Sequence, residues 1–419
     1  MKIVLVHGKY FNSWEALGMG LIGSHIKKHF STARLSFYQG CFDSDEDIVN
    51  DASDADMVLF SSSSPSFKYC VDIARKIKEV NSRVWIVVGG YHPSAVPEDS
   101  LVEGGIDQVV VGEGEGAIVD IINGNRDRIV VGRRMKFNEL DWADRSLIKN
   151  HRNINVAYEN TGLKITSFQS TRACPFQCQY CADGHMGVLY SGTSNRVERR
   201  DVGDLVSEII SVQKKYDLDF FKFSDPTWNT NLSYTKDFCR EKIRRKLKTP
   251  FFPNIHAKVV DDEMFRLMSE ANCSEIGLGI ESGSPKILSQ IGKSTTREDI
   301  VNTVNLANKY NIKVRGYFIL GMLEENQEDL ELTESFADKL DIYEYGFTIL
   351  CPYPGSKMYH DNPEKFKDID WSGTDEYINY FWETNYLTNE ELRTWQNRLT
   401  KKFKDKITWH NKTLIEDEK

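Results

Sequence analysis

The 419-residue sequence has no uninterrupted apolar run approaching the ~20 residues that cross a bilayer. The N-terminal run, Ile3 to Val6, is too short for the core of a signal peptide. There is no basic excess. Lys and Arg number 53 against 62 Asp and Glu, and the net charge of −9 argues against bulk nucleic acid or an anionic membrane as partner. Internal repeats and low-complexity tracts are also missing, and 40% hydrophobic with 27% charged residues excludes a disordered or fibrous chain. These absences leave a cytoplasmic globular protein of two or three domains. Cysteine is sparse and uneven: of the eight, at 41, 70, 174, 178, 181, 239, 273 and 351, three crowd into one short stretch. Without an export signal, that crowding points to metal before disulfides.

The first ~120 residues alternate short apolar runs with amphipathic stretches, the pattern of βα units on a parallel sheet. Strands are expected over 2–7, 34–38, 57–61, 83–88 and 108–111, and helices over 14–29, 67–80 and 97–103. Val71, Ile73, Ala74, Ile77 and Val80 share one helical face. Ser- and Gly-rich turns follow the third, fourth and fifth strands, on the edge where open α/β sheets bind ligands. Residues 123–153 read as a connector. A second βα series begins near 163, with strands expected over 164–169, 220–224, 251–256, 275–280, 313–320 and 345–350, and helices over 204–216, 262–271, 297–310 and 327–340. Six such units suit a partial barrel with its chemistry at the C-terminal rim. Thr388 and Glu391 form a capping box that opens a last helix. The expected fold is α/β. A doubly wound, Rossmann-like domain (1–130) and a linker (131–162) precede a partial (β/α)6 barrel (163–360) and a helical C-terminal region (361–419).

The segment Thr171-Arg-Ala-Cys174-Pro-Phe-Gln-Cys178-Gln-Tyr180-Cys181 has the spacing C-x3-C-x2-C directly after the first strand of the second series. Three thiolates on one loop can hold three irons of a [4Fe–4S] cluster, which leaves the fourth iron open to a small molecule. The plainer alternative is structural zinc, with His185 as a fourth ligand.

With the aromatic Tyr180 just before its third cysteine, this motif resembles the radical S-adenosylmethionine (SAM) enzymes. Glu275-Ile-Gly-Leu-Gly-Ile-Glu281-Ser282-Gly283 looks like the family's fourth strand, and the resemblance sets Tyr180, Glu281 and Ser282 against SAM. Val314-Arg315-Gly-Tyr-Phe-Ile-Leu-Gly321 looks like the fifth, which packs near adenine and makes Arg315 and Gly321 cofactor contacts. Thr348-Ile-Leu-Cys351-Pro-Tyr-Pro-Gly355 looks like the sixth. Cys351 at its end and Asp225 at the end of the second strand are the candidate catalytic residues. Each has a plainer reading: Glu281 as a turn cap, Arg315 as a surface strand residue, Cys351 as core packing and Asp225 as a turn initiator.

A sheet domain ahead of such a barrel resembles the cobalamin-binding subfamily. The matching pieces bring Ser61, Ser62, Gly89, Gly90, Tyr91, His92, Gly112, Glu113 and Gly114 to the cofactor. Glycines there admit a large ligand close to the backbone, and serine hydroxyls can donate to its amides and phosphates. One departure concerns cobalt. The motif D-x-H-x-x-G of base-off sites is represented by Leu5-Val-His7-Gly-Lys-Tyr10, which keeps the histidine but lacks the Asp and the last Gly. His7 is therefore either a cobalt ligand with no carboxylate to fix its tautomer or a loop histidine.

The resemblance implies three cofactors: a [4Fe–4S] cluster on Cys174, Cys178 and Cys181, SAM, and cobalamin. The implied activity is methyl transfer from methylcobalamin to an unactivated carbon or phosphorus, through a 5′-deoxyadenosyl radical. The substrate is a small molecule, peptide or lipid precursor, and electrons come from an external flavodoxin- or ferredoxin-type donor. Alternatives are a ring closure or rearrangement with cobalamin as redox partner or vestige, and a non-enzymatic corrinoid carrier or sensor. Methylthio transfer is disfavoured, because Cys41 and Cys70 do not make a second triad. The tail aromatics Tyr377, Tyr380, Phe381, Trp382 and Tyr386 can line a pocket, but their spacing reads more readily as core packing.

Overall fold

Six short segments, most of them rich in Val and Ile, pair as one parallel sheet: β1 (Lys2–His7), β2 (Arg34–Gln39), β3 (Met57–Ser61), β4 (Trp85–Gly89), β5 (Gln108–Gly112) and β6 (Ile129–Gly132). In this computed structural model, which describes residues 1–10, 13–186, 197–375, 377 and 379–408, they run in the order β2-β1-β3-β4-β5-β6. Alternation along β1 shows why the sheet is covered on both faces. Val4 and Val6 pack with α2 (Asp45–Ala52) and α3 (Ser64–Val80). Ile3 and Leu5 pack with α1 (Leu17–His29) and the helix Glu115–Ile122. The doubly wound expectation holds, and the order reverses between β1 and β3, the switch point where such sheets bind ligands.

The differences from expectation are local. β6 lies in the stretch read as a connector; its four residues are only partly buried, so no strong apolar run marks it. Helix α3 starts a turn early, at Ser64, because Ser63 and Ser66 form a capping box with Pro65 in the first turn. Its last residue, Val80, is 65% exposed and leaves the apolar face.

The chain divides into two compact units. One comprises Met1–Lys164, His185–Glu198 and Tyr353–Gly373; the other comprises Ile165–Gly184, Arg199–Pro352 and Thr374–Lys419. Residues 131–162, read from sequence as a linker, thus belong to the first unit and carry the helix His151–Thr161. So does part of the segment expected in the barrel and tail. There the rings of Tyr353, Tyr359, Phe366 and Trp371 contact one another, and the Lys68 ammonium pairs with Asp370 at 2.7 Å.

The second unit is the expected series of six parallel βα strands. Ile165–Phe168, Phe220–Phe223 and Phe251–Phe252 form one sheet, and Asn254–Ile255, Glu275–Glu281, Lys313–Leu320 and Glu344–Ile349 form the next. The third strand is split at Pro253, which has no N–H to donate. Its first half pairs back to Phe221–Lys222 and its second half forward to Gly277–Leu278. Thr388 caps Asn389–Lys402 with Glu391 as expected. Of the tail aromatics, Trp382 is buried but Tyr380 and Tyr386 are more than 60% exposed, at 62% and 61%. Residues 409–419 of the expected helical tail lie outside the described residues. Among the described residues no helix is long and apolar enough to cross a membrane.

Candidate active site

In the second unit the loop that follows Ile165–Phe168 carries the three cysteines, with Cys174 and Cys178 buried. The loop is pinned from three sides. Asp225, at the end of the second strand, accepts from the backbone of Ser170 at 2.8 Å and Thr171 at 2.9 Å and from the Ser170 hydroxyl. The Gln179 N–H donates to Ile291 O at 3.0 Å. The Phe176 ring stacks on His256 at 3.7 Å, and His256 Nε2 meets the carbonyl of Lys293 at 3.1 Å. A Cβ on Gly292, whose φ is +74°, would lie 2.7 Å from Gln177 O, so glycine is needed for that approach.

Burial pushes all three thiols up, Cys178 to about 11, and for Cys174 and Cys178 it works against the pull of the Lys293 cation. As thiolates they need a positive partner, and a set of three sulfur donors on one loop is what an iron–sulfur cluster takes. Among the described residues no three His, Cys, Asp or Glu side chains gather so as to hold a single metal ion. The zinc alternative with His185 therefore has no preformed site, whereas a cluster spaces its ligands more widely than one ion does.

The ends of the next strands surround the same rim. Glu281 closes its strand at a register shift with φ +64°, a backbone region that non-glycine residues enter only under constraint. Its carboxylate pairs with Lys293 Nζ, which also donates to Gly279 O at 2.6 Å. Tyr180 bonds to Glu281, and burial together with that negative charge holds its phenol well above the ordinary range. Gly321, with φ +92°, is gripped from both sides: its N–H donates to Glu325 Oε2 at 2.5 Å and its carbonyl accepts from Trp382 Nε1 at 2.6 Å. Cys351 is buried just past the last strand.

Two expected contacts are otherwise engaged. The Ser282 hydroxyl accepts from Ser284 N at 3.1 Å and meets Thr333 Oγ1 at 3.1 Å, so it ties its own loop together. Arg315 sits near the N-terminal end of its strand, where it pairs with Glu275 at 2.6 Å and Glu344 at 3.1 Å. The five residues from there to the strand end span ~17 Å, so the structure does not bring Arg315 to the rim. Asp225, expected to be catalytic, has both oxygens occupied by the turn at Ser170, which is the turn reading made literal.

In the first unit the expected cofactor residues line the C-terminal edge of the sheet. His7, Ser61 and Gly89 are paired neighbours in register, and Ser62 N–H continues the ladder to Gly89 O at 3.0 Å. Gly112 ends the next strand and donates to Ser94 Oγ at 3.1 Å. Gly114 precedes its helix, where a Cβ would press on Ile22 at 2.9 Å. Tyr91 is 54% exposed. His92 instead turns inward, with Nδ1 3.1 Å from Ser64 Oγ and its ring on Phe67. Glu113 turns to Met135 N–H at 3.0 Å.

At the switch point two buried polar atoms, His7 Nδ1 and Ser62 Oγ, have no hydrogen-bond partner among the described residues. Burial drops His7 to about 4, so its ring is neutral and able to ligate. Gly90 has φ +105° and lies with its Cα against the Ser62 carbonyl. Orphaned polar atoms and a bare backbone at a switch point fit a large polar cofactor.

A family model for the radical SAM superfamily matches residues 168–337, and one for the B12-binding domain matches residues 3–122. The chain carries a radical SAM domain behind a B12-binding domain. An uncharacterized methyltransferase of Pyrococcus horikoshii is 29% identical over 323 residues, 73% of this chain and 69% of that one. A bacteriochlorophyllide d C-12(1)-methyltransferase of Chlorobaculum tepidum is 23% identical over 385 residues, 90% of this chain and 79% of its own. Among solved structures, the radical SAM methyltransferase TsrM from Kitasatospora setae, with cobalamin and a [4Fe–4S] cluster bound, shares the fold. The TM-score is 0.71 at 17% identity, covering 87% of this chain and 78% of that one.

Sequence reading missed three residues of the radical SAM domain, Lys293, His256 and Glu325, and gave Trp382 only as one of the tail aromatics. Glu325 follows Glu324 in a polar stretch and reads as surface, yet it is fully buried. Burial pushes its carboxyl up to about 8 and that of Asp225 to about 6. The native state therefore keeps a proton that the unfolded chain gives up near 4.5, and the domain is expected to lose stability as pH rises from there through 8. Urea midpoints at about pH 5 and about pH 8 check this, and Glu325→Gln, which cannot ionise, is expected to reduce the difference.

Proposed function

We propose that the protein is a cobalamin-dependent radical SAM methyltransferase acting on an unactivated carbon or phosphorus centre. The observation that carries this reading is the joint presence of a B12-binding domain and a radical SAM domain in a chain with relatives over most of its length, two of which, over 73% and 90% of it, are named methyltransferases. When bound, the cluster, SAM and cobalamin supply the electron, the 5′-deoxyadenosyl radical and the methyl group.

The chain's own residues supply placement. Cys174, Cys178 and Cys181 are the cluster ligands, backed by the Phe176–His256 stack. Glu281, held by Lys293 and Tyr180, offers a carboxylate to the polar part of SAM. Glu325 and Trp382 fix the Gly321 backbone on the adenine side. Ser61, Ser62, Gly89, Gly90, Gly112 and Gly114 form the edge that takes cobalamin, with His7 as the neutral nitrogen beside it. Cys351, at the end of the sixth strand, is the thiol placed to meet substrate.

The substrate class is a small molecule, peptide or lipid precursor, and an external flavodoxin- or ferredoxin-type protein delivers the electron. A cytoplasmic setting suits the eight free cysteines. Anaerobic purification with cobalamin supplied, followed by metal and corrinoid analysis of one sample, tests the assignment. Iron near four per chain with bound corrinoid is expected. Zinc without iron would overturn it.

A further inference from the structure

The B12-binding match ends at residue 122, yet the first unit continues to Lys164, and the added stretch packs along α1. Asp144 N–H donates to Gly20 O at 3.0 Å, its carboxylate takes Lys27 at 2.6 Å, and the Ser24 hydroxyl donates to Trp142 O at 2.6 Å. Leu147 occupies the space left by Gly23, where a Cβ would lie 2.3 Å from its side chain.

Beyond this packing, a chain of buried polar groups reaches the residues that follow β1. Arg145 donates to Asn150 Oδ1 at 2.7 Å, and Asn150 Nδ2 donates to Glu15 Oε1 at 2.6 Å. Asn153 Nδ2 donates to Ser13 O at 2.9 Å, and Gln39, from the end of β2, donates to Trp14 O at 2.7 Å. Arg145, Asn150, Asn153 and Gln39 are all buried. Three consecutive residues, 13 to 15, thus have a carbonyl or carboxylate fixed by donors from elsewhere in the fold. Buried, satisfied networks of this kind hold one conformation.

What they hold is unusual. Trp14 is 62% exposed and makes no ring contact among the described residues. An indole kept in water by a buried clamp is a stacking surface awaiting a partner. It lies beyond the strand that ends at His7, on the edge assigned above to the cofactor.

We infer that residues 145–153 are a positioning element of the cobalamin site, which through Asn150 and Asn153 fixes residues 13–15 and presents Trp14 to the cofactor. The D-x-H-x-x-G motif is incomplete here, and the clamp supplies from outside the matched domain the order that the motif's missing residues would give. This rests on the cobalamin reading above.

The test titrates the anaerobically reconstituted full chain with hydroxocobalamin, following corrinoid absorbance and tryptophan quenching, and records the EPR spectrum of bound cob(II)alamin. Asn150→Asp keeps the acceptor for Arg145 but sets a carboxylate against Glu15. It is expected to weaken binding about tenfold and to alter the spectrum. Adding Glu15→Gln restores a donor and is expected to recover affinity to within about threefold. Asn153→Ala, expected to weaken binding by a smaller factor, carries the test if the first variant does not fold. Iron content stays at the wild-type value in each. Wild-type affinity and an unchanged spectrum in folded Asn150→Asp and Asn153→Ala would overturn the inference. A wild-type chain that binds no corrinoid would instead overturn the cobalamin reading on which it stands.

Discussion

Replacing Cys174, Cys178 and Cys181 together by alanine is expected to bring iron to background and to abolish 5′-deoxyadenosine formation from SAM, while bound corrinoid persists. The three thiols stand on one loop, and among the described residues no group of three His, Cys, Asp or Glu side chains gathers elsewhere to take their place. The loop itself should survive. Its fixing contacts run through the Ser170 turn to Asp225, through the Gln179 N–H to Ile291, and through Phe176 to His256, none of which uses a cysteine sulfur. The thiols lie in the second unit and the cobalamin edge in the first, so the lesion is specific to one cofactor. Iron analysis, visible spectra and chromatography of SAM products from one preparation check all three parts. Residual 5′-deoxyadenosine above the no-enzyme control would contradict the ligand assignment.

Gly90→Val is the converse lesion and is expected to remove corrinoid while leaving iron. Gly90 has φ +105° and ψ −169°, a region essentially reserved for glycine. A Cβ there would lie 2.3 Å from Ser62 O and 2.8 Å from Ser62 N. Both are backbone atoms, and Ser62 N is itself paired to Gly89 O at 3.0 Å, so no side chain can move aside. Backbone strain and overlap together cost roughly 3 kcal/mol or more, a large share of one domain's stability. The displaced segment carries Ser62, whose hydroxyl is one of the two orphaned groups at the switch point. Corrinoid absorbance after gel filtration, with iron per chain and a thermal midpoint, reads the outcome. Full corrinoid occupancy in a folded Gly90→Val protein would remove the β3–β4 edge from the site.

Much of this was legible in the residues because the signals are local. Short apolar runs placed five of the six strands of the first sheet, since the central strands are buried between two helical layers. The cysteine spacing and its position after a strand carried the cluster assignment. Glycines at 90 and 321 occupy positive-φ turns at strand ends, where a Gly in the sequence is itself the evidence. Failures came where the environment is made by distant chain. Arg315 and Asp225 have the right residue types at strand positions, but Glu275, Glu344 and the Ser170 turn claim them. Glu325 and Lys293 look like surface charges but are buried, Glu325 on the Gly321 turn and Lys293 against Glu281 and Gly279. The stretch 142–153 lacks strong periodicity, since most of what it contributes is hydrogen bonds from Asn and Arg side chains rather than an apolar face.

The central claim is methyl transfer through cobalamin, and it can be tested without knowing the substrate. Reconstituted protein carrying reduced cobalamin, incubated with SAM deuterated on its methyl group, is quenched in the dark, and the released corrinoid is weighed by mass spectrometry. Methylcobalamin carrying the three deuterons is the expected result. Corrinoid that stays unlabelled while 5′-deoxyadenosine accumulates would contradict methyl transfer and place cobalamin here as a redox partner or a vestige.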